Sequence, residues 1–484
     1  MKVGLVFLPM WDHGRPPLGI NSVAQALRDA GHDVKLYDLN VAINKKIYQK
    51  RFFWQRTPKK NYWEGGFCKD WEEPTKFEKV ILPVFKKNFR SALKEIVSHI
   101  ETHKLEALGF SVFTTNYLTT KYFIKILRDY YSQEELKIFV GGFDLYTRPW
   151  HKEVREGLID AAIVGEGEVS CSQLLGAWEN KDHISNIPGI VSRISPGQVL
   201  QNKSQVIVDL NILPIVTYEG LKLEDYYINE IPLQTSRGCF GRCTFCDEVV
   251  FGVSYRVKPA AHVLKEMQVN AKKHNANFFN IADSAVNPEH PEIKKFVKLL
   301  IDHPQKFYWG GNCCISKNIE LDTLIDMKKA GCRYLCFGLE SASAKVLELM
   351  NKKFDPAWAS RIIKDCKTAE ISVLMNVLVG FPGETEEDFE MTLKFIRENH
   401  SYISVLNTGV GMGITINSAV WNNPTKFNIK TNVDGSIHDG AESWETVDGE
   451  NNLYTRNRRL NRIRLLAKSL NLKFTPDVPL LPEA

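Results

Sequence analysis

Short apolar runs alternate with amphipathic stretches along most of the chain. Positions 3–8 form an apolar run suited to a strand, 20–30 repeat apolar residues at helical spacing and close at Gly31, and 34–39 form a second strand. After an insertion the rhythm resumes with strand 107–112, helix 117–130, strand 137–140 ending in Gly141-Gly142, and strand 161–164 ending in Gly165-Glu166-Gly167-Glu168. Alternation of this kind predicts a parallel sheet covered on both faces, a doubly wound α/β unit that holds ligands at the carboxyl ends of its strands. Glycines at two of those ends are expected to let a bulky ligand approach the backbone.

The rhythm restarts near residue 230. Six further strands are predicted at 231–236, 278–282, 307–311, 334–338, 373–379 and 403–407, with helices at 260–273, 292–302, 321–330, 344–350, 356–369 and 386–398. Six βα units make an incomplete version of the eight-unit barrel, whose chemistry sits at the carboxyl ends of the strands. The expected organisation is therefore a Rossmann-like unit at 1–180 with an insertion at 44–90, a hairpin and linker at 181–229, a partial barrel at 230–417, and a C-terminal lid and helix at 418–484. In the joining region the hairpin is expected from strand-like 189–194 and 206–208. The insertion carries Phe52, Phe53, Trp54, Tyr62, Trp63, Phe67 and Trp71 among lysines, and rings this dense predict a helical subdomain that buries them. Near the end, 422–452 reads as a polar loop able to cover a barrel mouth. Positions 455–470 read as a basic amphipathic helix whose arginines, Arg456, Arg458 and Arg459, lie on a solvated face.

Composition narrows the class. A chain of 484 residues with 44% hydrophobic and 25% charged residues suits two to three globular domains. The absence of an eighteen-residue apolar run and a start that leads straight into a strand predict neither a membrane span nor a signal peptide, hence a cytoplasmic protein. A net charge of +5 without a basic, aromatic-studded stripe gives no clear nucleic-acid signal.

The chemistry is concentrated in Arg237-Gly-Cys-Phe-Gly-Arg-Cys-Thr-Phe-Cys-Asp247, where Cys239, Cys243 and Cys246 place three thiols in one short loop after a strand. A [4Fe–4S] cluster normally takes four thiolates, so three leave one iron open to an exogenous ligand. The competing reading, a zinc site, wants a fourth ligand at short range, and the nearest downstream histidine is His262, in a predicted helix. Of the remaining cysteines, Cys332 and Cys336 are four apart on a strand and are expected to share one face. With Cys313 and Cys314 they read as core residues, and of these Cys313 or Cys314 is the better candidate for a functional thiol.

The C-x3-C-x2-C loop, with aromatic Phe245 before its last cysteine, resembles the signature of the radical S-adenosylmethionine (SAM) enzymes. In that family the amino and carboxylate groups of SAM chelate the open iron, and one electron cleaves SAM to a 5′-deoxyadenosyl radical. The resemblance extends to Asp283 and Ser284 after the second barrel strand, to Gly338-Leu-Glu-Ser341 after the fourth and to Val379-Gly-Phe-Pro-Gly-Glu-Thr385 after the fifth. It implies SAM contacts from Phe245, Asp283, Ser284, Glu340, Ser341 and Gly380. Many relatives carry an arginine after the third strand, where this chain has Gly311-Asn-Cys-Cys-Ile-Ser316 and no arginine.

The first half resembles the cobalamin-binding domain fused ahead of many radical SAM enzymes, through Pro16–Val34, Gly109–Thr114, Val140–Gly142 and Val164–Glu168. The implied cobalamin contacts are Ser111, Thr114, Thr115, Gly141, Gly142, Gly165 and Glu166. Domains that ligate cobalt through histidine carry D-x-H-x-x-G in the first loop. Here Asp12 and His13 are adjacent, so no histidine ligand is expected and His13 reads as a solvated loop residue.

Together the resemblances imply a cobalamin-dependent radical SAM enzyme that methylates an unactivated carbon, with a [4Fe–4S] cluster, SAM and cobalamin as cofactors. They also imply a low-potential electron donor of flavodoxin or ferredoxin type and a small-molecule, lipid or peptide precursor as substrate. No residue is singled out as general acid or base. The alternatives are a radical rearrangement, cyclisation or cleavage with cobalamin structural or absent, and a non-enzymatic cobalamin sensor, which would leave the three thiols unexplained. Methylthio transfer would need a second cluster from N-terminal cysteines, and that half has only Cys68 and Cys171.

Overall fold

A computed structural model describes residues 1–49, 63, 68–249, 254–408, 411–438 and 443–475. The chain separates into two compact units, one of residues 1–232 with 268–276, the other of 233–267 with 277–484.

The first unit is built on a seven-stranded sheet of β1 (Lys2–Phe7), β2 (Asp33–Asp38), β3 (Ala107–Ser111), β4 (Lys137–Gly141), β5 (Ala161–Ile163), β6 (Ile190–Ser195) and β7 (Gln198–Gln201). Its order is β2-β1-β3-β4-β5-β6-β7, parallel through β5 and antiparallel for the last two strands. The parallel strands are nearly continuous apolar runs because helices cover both faces. On one face Leu5 and Phe139 pack with Ile20, Leu27 and Leu174, and on the other Val6 and Phe110 pack with Phe85, Phe89 and Phe123. Strand order reverses between β1 and β3, which opens a crevice at their carboxyl ends.

Within the insertion Trp63 and Trp71 are buried in this second core, edge-to-face at 5.4 Å, beside Phe85 from the helix Leu82–His103. Phe52, Phe53, Trp54, Tyr62 and Phe67 lie outside the described residues. The expected hairpin belongs to this sheet as β6 and β7, and its second arm is Gln198–Gln201, not 206–208. Gly197, at a φ of 79°, makes the tight turn, and the Ile207 amide is taken instead by the Glu166 carboxylate at 2.6 Å.

The second sheet comprises β8 (Ile231–Leu233), β11 (Phe278–Val286), β12 (Tyr308–Cys313), β13 (Cys332–Glu340), β14 (Ser372–Val377), β15 (Val405–Thr408) and β16 (Lys473–Thr475), in the order β16-β15-β14-β13-β12-β11-β8. The predicted first strand is shorter than expected, and the chain continues as β9 (Ser236–Arg237), paired antiparallel with β10 (Arg256–Val257). The seventh strand, β16, was not legible; three residues beside a basic helix give no period.

Two further expectations are overturned. The helix Leu453–Ser469 does not solvate all its arginines, since Arg456 is fully buried and Arg459 is 4% exposed. Cys332 and Cys336 do not share a face, because the register slips between Trp309 and Gly310, leaving Arg333 as an extra residue. That bulge turns Cys332 into a buried position near Cys366, while Cys336 faces the cleft described below.

Candidate active site

β8 and β9 deliver the three-cysteine loop to the carboxyl end of the second sheet. The loop is anchored from below by Asp283 on β11, whose carboxylate accepts from the Thr235 amide at 2.8 Å, from the Ser236 hydroxyl at 2.6 Å and from the Thr235 hydroxyl. All three thiols line a cleft of about 580 Å³ together with Phe245, Ser284 and Glu340. Cys313, Cys314 and Cys336 also reach this cleft, so these three are not simple core cysteines. Asp283, Ser341 and Gly380 are absent from its wall. Asp283 is spent on the loop, buried Ser341 bonds to Thr392 and Ser343, and Gly380 is packed by Arg456, whose Cγ lies 2.3 Å from where a Cβ would stand.

Glu340 leaves β13 in the left-handed region, at a φ of 63°, and its carboxylate is held by Lys352 at 3.0 Å. The same ammonium donates to the Gly338 carbonyl at 2.7 Å. A Cβ at Gly338 would stand 2.4 Å from the Glu340 carboxylate and 2.8 Å from Nζ of Lys352, so glycine there makes room for the ion pair. Ser284 donates to Glu248 at 2.7 Å.

The loop fits a cluster in three respects. Its donor set is three thiols, and Gly241 sits beside two of them, a Cβ there lying 3.4 Å from Sγ of Cys239 and 3.8 Å from Sγ of Cys243. The Gly241 amide also donates to Cys239 Sγ at 3.3 Å, the kind of bond that tunes cluster sulfurs. Among the described residues no three His, Cys, Asp or Glu converge as ligands of a single ion would. Burial pushes all three thiols up, Cys246 to about 12, so binding metal must release their protons.

In the first unit the predicted contacts gather at the carboxyl ends of β3, β4 and β5 but are used differently. Gly142 and Gly165 are required by the chain itself: a Cβ would meet the Val112 carbonyl oxygen at 2.6 Å in the first and Ser204 at 2.9 Å in the second. Gly141 alone keeps open space, its nearest neighbour being 3.9 Å away. Glu166 holds the Ile207 amide, the Thr115 hydroxyl donates to the Met10 carbonyl, and Ser111 and Thr114 are half-buried beside them. His13 is half-buried, packed 5.1 Å from Tyr227. Sequence reasoning missed Trp11, stacked at 3.9 Å on Phe113, which lies parallel to Phe143. With open Gly141, these partly exposed rings lie at the carboxyl ends of β1, β3 and β4. In the second unit it missed Asn351 and Lys352. Asparagine just past a helix end was the available signal.

Residues 233–396 match the radical SAM superfamily model. An uncharacterised methyltransferase of Pyrococcus horikoshii is 26% identical over half of this chain and 53% of its own length. The hopanoid C-3 methylase of Methylococcus capsulatus is 22% identical over 92% of this chain and 70% of its own. Among solved structures, the radical SAM methyltransferase TsrM of Kitasatospora setae, with cobalamin and a [4Fe–4S] cluster bound, has the same fold at a TM-score of 0.65 and 16% identity, over 95% of this chain and 81% of that one. The chain spans about half the length of the first curated relatives it matches.

Proposed function

We propose, for a chain whose residues 233–396 match the radical SAM superfamily model, a cobalamin-dependent methyl transfer to a carbon that carries no lone pair. The observation that carries this reading is the sharing of one cleft by Cys239, Cys243, Cys246, Ser284 and Glu340. When bound, the cluster with SAM supplies a carbon radical able to take hydrogen from an unactivated carbon, and cobalamin supplies the methyl group. The rest is the chain's work. Cys239, Cys243 and Cys246 would hold three of the irons, and the Gly241 amide donates to the first sulfur. Glu340, oriented by Lys352, presents a carboxylate to a ligand's hydroxyl or ammonium groups. Phe245, edge-on to Phe381 at 6.4 Å, walls the cleft with an apolar surface that excludes water from a reactive ligand. In the first unit, Gly141 and the rings of Trp11, Phe113 and Phe143 would hold the corrin.

Support for methyl transfer comes from the methyltransferases among its relatives. An external low-potential reductant of flavodoxin or ferredoxin type is part of the proposal, as is a small-molecule, lipid or peptide precursor as substrate. The test supplies methyl-labelled SAM, a reductant and candidate precursors to the reconstituted protein. 5′-Deoxyadenosine and S-adenosylhomocysteine should form in comparable amounts, with label in the product. Deoxyadenosine formed on turnover without label transfer would replace methylation by rearrangement or cyclisation.

A further inference from the structure

The helix Ala344–Leu349 ends against the cysteine loop. A helix leaves its last carbonyls without intrahelical partners, and these are ordinarily met by water or by the chain that follows. Here the carbonyls of Leu349 and Met350 accept from Thr244, the first from its hydroxyl and the second from its amide, both at 3.0 Å. Asn351, at a φ of 56°, turns the chain back and sends its side-chain amide to the Arg242 carbonyl at 2.6 Å. Both neighbours of Cys243 in the chain are thus pinned by one three-residue segment. Lys352 follows at once and holds Glu340 and Gly338.

We infer that the turn 349–352 is a bracket fixing the separation between Cys243 and Glu340, with Asn351 and Lys352 as positioning residues for the two ends of the cleft. Glu340's part in binding SAM rests on the proposed function; Asn351's part rests on the loop alone. The physical requirement is plain. A ligand anchored at an iron at one end and at a carboxylate at the other tolerates little variation in the distance between them. Two hydrogen-bonding side chains on adjacent residues of one turn cannot drift apart.

Asn351→Gly separates the side-chain bond from the backbone, since glycine keeps the left-handed turn without strain. In the metal-free protein this variant should alkylate at Cys243 several-fold faster than wild type while Cys246 is unchanged. After reconstitution it should release iron to a ferrous chelator several-fold faster, with its melting temperature close to wild type. Lys352→Met should keep its iron but bind SAM several-fold more weakly in equilibrium dialysis, with Lys352→Arg recovering part of the affinity. Wild-type alkylation and iron release in Asn351→Gly would overturn the loop half of the bracket, and unchanged SAM affinity in Lys352→Met would overturn the other. A wild-type protein that never holds a cluster would sink the proposed function, while the alkylation rates would still decide the role of Asn351.

Discussion

Single residues in this chain fall into two kinds, those whose meaning is local and those whose meaning depends on a distant partner. Cys239, Cys243 and Cys246 are local: their spacing alone puts three thiols in one loop. Replacing them with alanine should reduce bound iron and sulfide to background, whereas Cys332→Ala, in a buried position away from the cleft, should leave both unchanged. Gly380 is of the second kind. The motif comparison made it a SAM contact, but its φ of 81° and the Arg456 side chain lying against it make glycine necessary for packing. Gly380→Ala should destabilise the protein by about 2–4 kcal/mol, from left-handed strain plus overpacking, as read by urea unfolding. Asp283 and Ser341 likewise have partners within the chain. Thr235 and Thr392, which consume them, lie 48 and 51 residues away, beyond any window a pattern can scan.

At the level of elements, alternation made nearly every strand of both sheets legible, because parallel strands covered on both faces must be apolar throughout. The helix Leu453–Ser469 was legible in extent but not in orientation. Its arginines read as a solvated face, yet Arg459 pairs with buried Glu384 at 2.8 Å and Arg456 lies over the Trp444 ring at 4.1 Å. Arginine on a helix looks the same in sequence whether or not a carboxylate waits for it. Arg459→Leu, leaving Glu384 buried without its guanidinium, should cost about 3–5 kcal/mol. Burial pushes Glu384 up to about 7 from an ordinary 4.5, against the opposing pull of Arg459 and the Gly380 amide. Between those values the folded state binds more protons than the unfolded chain, so this group makes stability fall as pH rises from about 4.5 to about 7. Unfolding midpoints across that range should show the decline, and Glu384→Gln should remove it.

For the whole molecule, cobalamin bound by the full chain should give a cob(II)alamin EPR spectrum without nitrogen splitting from histidine. His13→Ala should leave that spectrum unchanged, because His13 packs against Tyr227. Nitrogen splitting lost in the variant would reverse the assignment. The chain's path also bears on how such an experiment is built. The first unit is not a continuous stretch, for the end of the helix Ala260–His274 belongs to it: Asn270 donates to the Val216 carbonyl, Lys273 pairs with Glu219, and His274 bonds to the Thr217 carbonyl at 2.7 Å. A gene cut at the 232/233 junction would strip three partners from one fragment and hand the other a helix with half its neighbours missing. Fragments cut at that junction should therefore be less stable than the same segments within the intact chain, as read by their urea unfolding midpoints.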